Sequence, residues 1–295
     1  MIEQIVTVNR VHLDASGLLE YKVFACELAD LAAAEILPYF RTEVAVENKV
    51  TESSVRTHDG VPVSPAEFDP VTVADKNAEA VIRQKIRDTY PSHGILGEEH
   101  GLHAGSSGLT WVLDPIDGTR AFITGLPLWG CLIALFDGVE PVLGVMEQPY
   151  LQERYIGTCD TAHYIGRGNP EPCSDTPVVM STRNCNQLAQ AVMMTTSMDM
   201  FKSKSEQNAF YRLAGKVRMH RFGGDCYAYC MLAQGFIDLV VEADLQPYDI
   251  QALIPIVQGA GGVITNWQGG SARAGGQVIA AATPELHQRA LVELA

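Results

Sequence analysis

The stretch LTWVLDPIDGT, residues 109–119, constrains this chain more than any other segment. An apolar run with strand character, 109–113, leads into two carboxylates three residues apart, and strand ends are where sites are built. Asp114 is expected to terminate the strand. Pro115 constrains the turn without offering an N–H, and Asp117 returns a second carboxylate beside the first. Two acids this close cannot both stay ionised unless a cation compensates them. The Ile116 carbonyl adds a further hard oxygen, and such a set suits Mg²⁺, which takes one or two carboxylates with water and substrate phosphate. Gly118 and Thr119 then offer backbone N–H groups at a turn or helix start, a place for an anion. A metal site and a phosphate site are thus expected side by side.

The surrounding pattern predicts a layered α/β protein. Apolar residues at three-and-four spacing over 21–40 predict a long core-facing helix, and a second is expected from about Thr72 to before Pro91. Between them, 50–67 is rich in Thr, Ser, Pro, Gly and charge and reads as a surface loop. Strands are expected at 93–97, 109–113, 129–136 and 142–146, the last two joined by a turn at Asp137-Gly138. After Pro149 strands and helices alternate: strands at 178–181, 191–196, 236–241, 263–265 and 278–281, helices at 205–214, 225–233, 248–259 and from Pro284. A soft boundary near residue 150 divides the chain. Residues 1–150 form an α+β domain with the 98–99 and 114–119 motifs, and 151–295 an α/β domain with Asp249 and the specificity residues.

Composition narrows the partners. Over 295 residues, 21 Lys and Arg face 35 Asp and Glu, a net charge of −14. That surface repels a nucleic-acid backbone, so no nucleic-acid partner is expected. A small anion then needs a local positive centre, either basic residues or carboxylate-held metal ions. The seven scattered cysteines lack a CxxC pair and read as reduced thiols, no apolar stretch reaches the roughly 18 residues of a membrane span, and MIEQIVTVNR does not look like a secretion signal. A cytoplasmic protein without a membrane partner is the expectation.

Two more acidic islands sit where strands end or helices begin: Glu98-Glu99 after Ile95-Leu96-Gly97, and Asp249 after Pro247. Each alone reads as a helix cap or solvated turn. With DPIDGT they form a set. The blocks ILGEE (95–99), WVLDPIDGT (111–119), DPVTVAD (69–75), VVEADLQPYD (240–249) and GAGG (259–262) together resemble the Mg²⁺-dependent inositol-monophosphatase-like phosphatases. The resemblance implies a layered αβαβα sandwich and a homodimer. It implies two or three Mg²⁺ per site, held by Glu98, Asp114, Asp117, Asp249 and the Ile116 carbonyl. Catalytic roles fall to Glu98 and Thr119, which position and deprotonate water, and to Asp75, which supports Thr119 and a weaker third metal. Gly118 and Thr119 would contact phosphate.

With RAFITGLPLWG (120–130), FGGDCYAYCMLAQG (222–235) and Tyr248 where inositol phosphatases commonly carry Trp, the chain looks more like the histidinol-phosphate phosphatase branch. A substrate bearing an amine and an imidazole wants carboxylates opposite the metals, and Asp225 and Glu242 are the candidates. The expected reaction is hydrolysis of a phosphate monoester by in-line attack of an activated water, without a covalent phosphoenzyme. Inositol 1-phosphate is the runner-up substrate. Bisphosphate sugars and nucleotide 3′-phosphates fit less well because no basic cluster for a second phosphate is visible. From a different class, a catalytically silent metal-binding regulator would betray itself by a missing acid, and none is missing. His100 and His103 read as surface residues, and Cys226 and Cys230, one helical turn apart, as core.

Overall fold

The computed structural model describes residues 10–43, 46–48, 70–166 and 178–295. The 50–67 loop, Lys49 and Asp69 lie outside them. The first helix, α1 (Ala15–Ile36), is capped by Asp14, whose side chain accepts from Gly17 N–H. It starts six residues before the predicted point. Strands β1 (Val46–Asn48) and β2 (Pro70–Thr72) pair antiparallel and lead into α2 (Val73–Thr89). A reciprocal capping box starts α2: Asp75 accepts Thr72 N–H at 2.8 Å, and Thr72 Oγ1 accepts Ala74 N–H at 3.2 Å.

The first sheet holds β3 (Gly94–Gly97), β4 (Gly101–His103), β5 (Thr110–Asp117), β6 (Gly130–Phe136), β7 (Pro141–Gln148), β8 (Glu153–Thr158), β9 (Ala162–Ile165) and β10 (Val178–Val179), with the short α3 (Thr119–Ile123) after β5. Their order is β10-β9-β8-β7-β6-β5-β3-β4, antiparallel except for β3 beside β5. Both faces are covered. Trp111, Leu113 and Ile133 pack toward α1 and α2, while Val112, Leu132 and Ala134 pack toward the opposite layer. This explains why these strands read as continuous apolar runs and not as alternating ones.

The second half supplies β11 (Val192–Thr195), α4 (Lys204–Ala214), β12 (Met219–Phe222), α5 (Asp225–Ala233), β13 (Leu239–Leu245), α6 (Pro247–Ile250), α7 (Leu253–Gly259), β14 (Val263–Asn266), β15 (Gly276–Ala281) and α8 (Pro284–Leu294). The second sheet runs β12-β11-β13-β15-β14. Helices α5, α6 and α7 fill the layer between the sheets, and α4 and α8 cover the far face of the second. The result is the expected αβαβα order.

Several boundaries differ from the sequence reading. Strand pairing passes residue 150 unbroken through β8, β9 and β10, so the change of sheet falls between 179 and 192. The single helix expected over 248–259 is two, because Pro255 has no N–H and its ring crowds the carbonyl of Gln251, where α6 ends. Strand β13 starts and ends later than predicted and carries a register shift between Glu242 and Leu245, where Asp244 takes a left-handed φ of 63°. The thiol expectation also needs correction: Cys131, Cys159, Cys185, Cys226 and Cys230 are free, whereas Cys26 is disulfide-bonded.

Candidate active site

The ends of β3, β5 and β13 and the starts of α3, α5 and α6 converge on a cleft of about 410 Å³. Its floor is the DPIDGT segment. Asp114 does not end the strand as expected: β5 continues to Asp117, and its pairing with β6 shifts register between the two acids. Pro115 lacks the N–H that a continuous ladder needs, so the strand bulges there and both carboxylates reach the cleft. Asp114 Oδ1 accepts Ile116 N–H at 3.1 Å, and Thr119 Oγ1 donates to the Ile116 carbonyl at 3.0 Å. Gly118 follows with φ 84°. A Cβ there would stand 3.1 Å from both Asp225 Cβ and the Leu128 carbonyl, so both conformation and space favour glycine.

Asp249 arrives from the far end of the sequence. It is the third residue of α6, where its carboxylate accepts Gln246 N–H at 2.7 Å. Carboxylate oxygens of Asp114, Asp117 and Asp249 all lie within 4.8 Å of one another, and Glu98 lines the same cleft. Glu98 leaves β3 with its N–H donated to the Leu113 carbonyl at 3.2 Å, which sets it beside Asp114.

This crowding is visible in the proton affinities. Burial, then the charges of Glu98, Asp117 and Asp249, raise Asp114 well above the usual carboxylate range. Burial, then Asp117 and Glu98, do the same to Asp249. Asp117 is pushed up to about 7, mainly by burial, although Cys226 donates to it through its thiol and through its N–H at 2.6 Å. Without a cation, the cluster holds protons.

The remaining expected acids form a second group. Asp225 opens α5 as its first helical residue in a left-handed conformation (φ 44°) after Gly223 and Gly224. Its N–H donates to Thr196 Oγ1 at 3.1 Å, and burial with the charges of Asp117 and Glu242 raises its pKa. Glu242, buried on β13, accepts Thr196 Oγ1–H at 2.6 Å, Thr196 N–H at 3.0 Å and Tyr229 O–H at 2.9 Å. Burial raises it too, and those donors pull it back. Asp75, by contrast, is not among the residues lining the cleft. It is fully buried at the start of α2 on the Thr72 N–H and hydroxyl.

The sequence profile of the inositol monophosphatase family matches residues 18–295. The chain belongs to that family. It is similar to the bifunctional phosphatase IMPL2, chloroplastic, of Arabidopsis thaliana, 40% identical over 278 residues that cover 90% of this chain and 72% of that one. It is also similar to a histidinol-phosphatase of Chlorobaculum parvum, 33% identical over 83% of this chain and 85% of the relative. Among solved structures, an inositol monophosphatase from Zymomonas mobilis superposes with a TM-score of 0.77 at 36% identity, covering 96% of this chain and 99% of that one. The chain is therefore a phosphatase of the inositol monophosphatase family, a phosphoric monoester hydrolase.

Against this family's cleft, the sequence reading missed the second ring of residues. Thr196 and Tyr229 hold Glu242, Arg120 lies 4.0 Å from Asp199 at the mouth, and Lys202 lies 3.4 Å from Asp244. Tyr229 is one helical turn after Asp225, so helical periodicity places them on one face. The Thr196 contact has no such signal. It follows from β11 and β13 being parallel neighbours, Met194 opposite Val240, which carries Thr196 level with Glu242 two residues on. His100 and His103 are exposed, and Cys226 and Cys230 are buried.

Proposed function

We propose that this phosphatase acts on histidinol phosphate, with Mg²⁺ held by Glu98, Asp114, Asp117, Asp249 and the Ile116 carbonyl. The donor set fits that ion: every ligand is a hard oxygen, three carboxylates converge within 4.8 Å, and burial and mutual repulsion leave them wanting positive charge. Bound there, Mg²⁺ would lower the pKa of water and neutralise the ester's charge. The chain's own groups do the rest. Thr119, fixed by its bond to the Ile116 carbonyl, presents its hydroxyl oxygen to the attacking water, and Glu98 takes the proton. The Gly118 and Thr119 N–H groups at the opening of α3 orient the phosphate. Asp75 acts from behind, by fixing the start of α2. The resemblance to the family further supports a homodimer, which analytical ultracentrifugation tests.

The substrate reading rests on one observation, the acidity of the cleft beyond the metal cluster. Among the described residues eight carboxylates line it, four of them the proposed metal ligands, against two cations, Arg120 and Lys202, and both cations lie beside acids, Asp199 and Asp244. A neutral polyol brings no opposite charge to Asp225, whose neighbour Arg120 is shared with Asp199. An amine or imidazolium supplies one, and hydrogen bonds to charged groups contribute roughly 1.5–3 kcal/mol each. Glu242 alone does not discriminate, because its carboxylate also suits ring hydroxyls, and this keeps inositol 1-phosphate as the second reading. Rates on a panel of phosphate esters test the assignment. Histidinol phosphate should have the highest kcat/KM, and equal or better turnover of inositol 1-phosphate would overturn it.

A further inference from the structure

We propose that Glu79, a buried carboxylate outside the cleft, is the positioning residue for Glu98. The inference rests on the reading of Glu98 as a metal ligand. Glu79 lies on α2 and is fully buried. Its Oε2 accepts Glu99 N–H at 2.7 Å, and its Oε1 accepts His100 N–H at 3.1 Å and Arg83 Nε–H at 2.5 Å. His100 Nδ1 stands 3.3 Å from the same Oε1. Arg83, one turn along α2, reaches past Glu79 and donates to the Gly101 carbonyl.

The two side chains thus fasten residues 99, 100 and 101, the three that follow Glu98. On its other side Glu98 is tied to Leu113 O, one residue from Asp114. Strand β3 ends at Gly97, so Glu79 takes over where the ladder stops, and Glu98 is clamped between β5 and α2. Gly97 shows how closely the carboxylate is seated: a Cβ there would come within 2.1 Å of Glu79 Oε1. An ionised carboxylate only accepts, as the converging donors require, whereas Gln would turn an NH₂ toward one of them. Groups that orient metal ligands typically cost 10–100-fold in metal affinity when removed.

Calorimetric titration of the metal-stripped full-length protein with Mg²⁺ tests this role, with kinetics alongside. Glu79→Gln replaces one of the two accepting oxygens with a donor, and Gly97→Ala displaces the carboxylate while keeping its charge, so the second variant decides if the first fails to fold. Both should raise the Mg²⁺ dissociation constant about 10-fold or more and shift the half-activating Mg²⁺ concentration by the same factor, with kcat largely retained at saturating Mg²⁺. Ile86→Val, a core change on the same helix away from these donors, should lower the melting temperature and leave Mg²⁺ affinity at the wild-type value. A merely structural Glu79 predicts that its variants behave like Ile86→Val, and unchanged Mg²⁺ affinity in folded Glu79→Gln or Gly97→Ala overturns the proposal. Asp114→Asn in the same titration separates the two ideas, since undiminished binding there overturns the metal-site reading itself.

Discussion

The strained acids make a prediction about stability that needs no substrate. Asp117 is raised from an ordinary 3.8 to about 7. Between those values the folded protein keeps a proton that the unfolded chain has released, so stability present at low pH is lost as pH rises through the window. At about 1.4 kcal/mol per pKa unit, the full shift corresponds to on the order of 4 kcal/mol. A melt series from about pH 5 to about pH 8 samples roughly 2–3 kcal/mol of it, or about 5 °C at roughly 2 °C per kcal/mol. Asp114, Asp225 and Asp249, raised in the same direction, steepen the slope. Buried His93 and His287 and half-buried His163 have lowered pKa values and oppose it below their ordinary 6.5, so Asp117→Asn is the comparison that isolates the carboxylate. Differential scanning calorimetry in EDTA should show the wild type losing stability toward pH 8 relative to Asp117→Asn. Saturating Mg²⁺, which binds the deprotonated acids, should remove that loss. A metal-free wild type whose melting temperature follows that of Asp117→Asn at every pH would refute the reasoning.

Other outcomes follow from the same geometry. Asp249→Asn should cut Mg²⁺-dependent phosphate release by more than about 100-fold, beyond the range of supporting groups, while the metal-free protein melts no lower than wild type; phosphate-release assays and melts check both halves. Asp225→Asn should lower kcat/KM for histidinol phosphate by roughly 10–100-fold, the worth of a charge-assisted bond, and spare inositol 1-phosphate, so an equal loss on both substrates would count against its role. Gly118→Ala forces a side chain into the left-handed region at about 1–2 kcal/mol and against Asp225, and it should lower both the melting temperature and kcat.

The legible part of this molecule was local chemistry. DPIDGT announced its two acids and its glycine within six residues, and apolar periodicity located the helices of the middle and outer layers. What could not be read depended on distant pairing. An apolar run followed by an acid predicts a strand that ends at Asp114. The register shift that instead carries β5 on to Asp117 is set by its pairing with β6. The break at Pro255 was written in the sequence and was outweighed by the apolar run around it. Thr196 meets Glu242 only because β11 and β13 lie side by side. Nothing in the sequence marks Glu79, which only the packing of α2 against the turn after β3 turns inward. The full extent of the first sheet depends on pairing in the same way: no change in composition marks that β8, β9 and β10 extend it through Val179.

The central claim is that converging acids, and not basic residues, capture the phosphate ester through divalent ions. Phosphate release measured on metal-stripped enzyme while Mg²⁺ is added back tests it most directly. Turnover should be absent in EDTA, recover in step with Mg²⁺ occupancy measured on the same protein, and fail to recover in Asp114→Asn. Turnover in EDTA, or full recovery in Asp114→Asn, would contradict it.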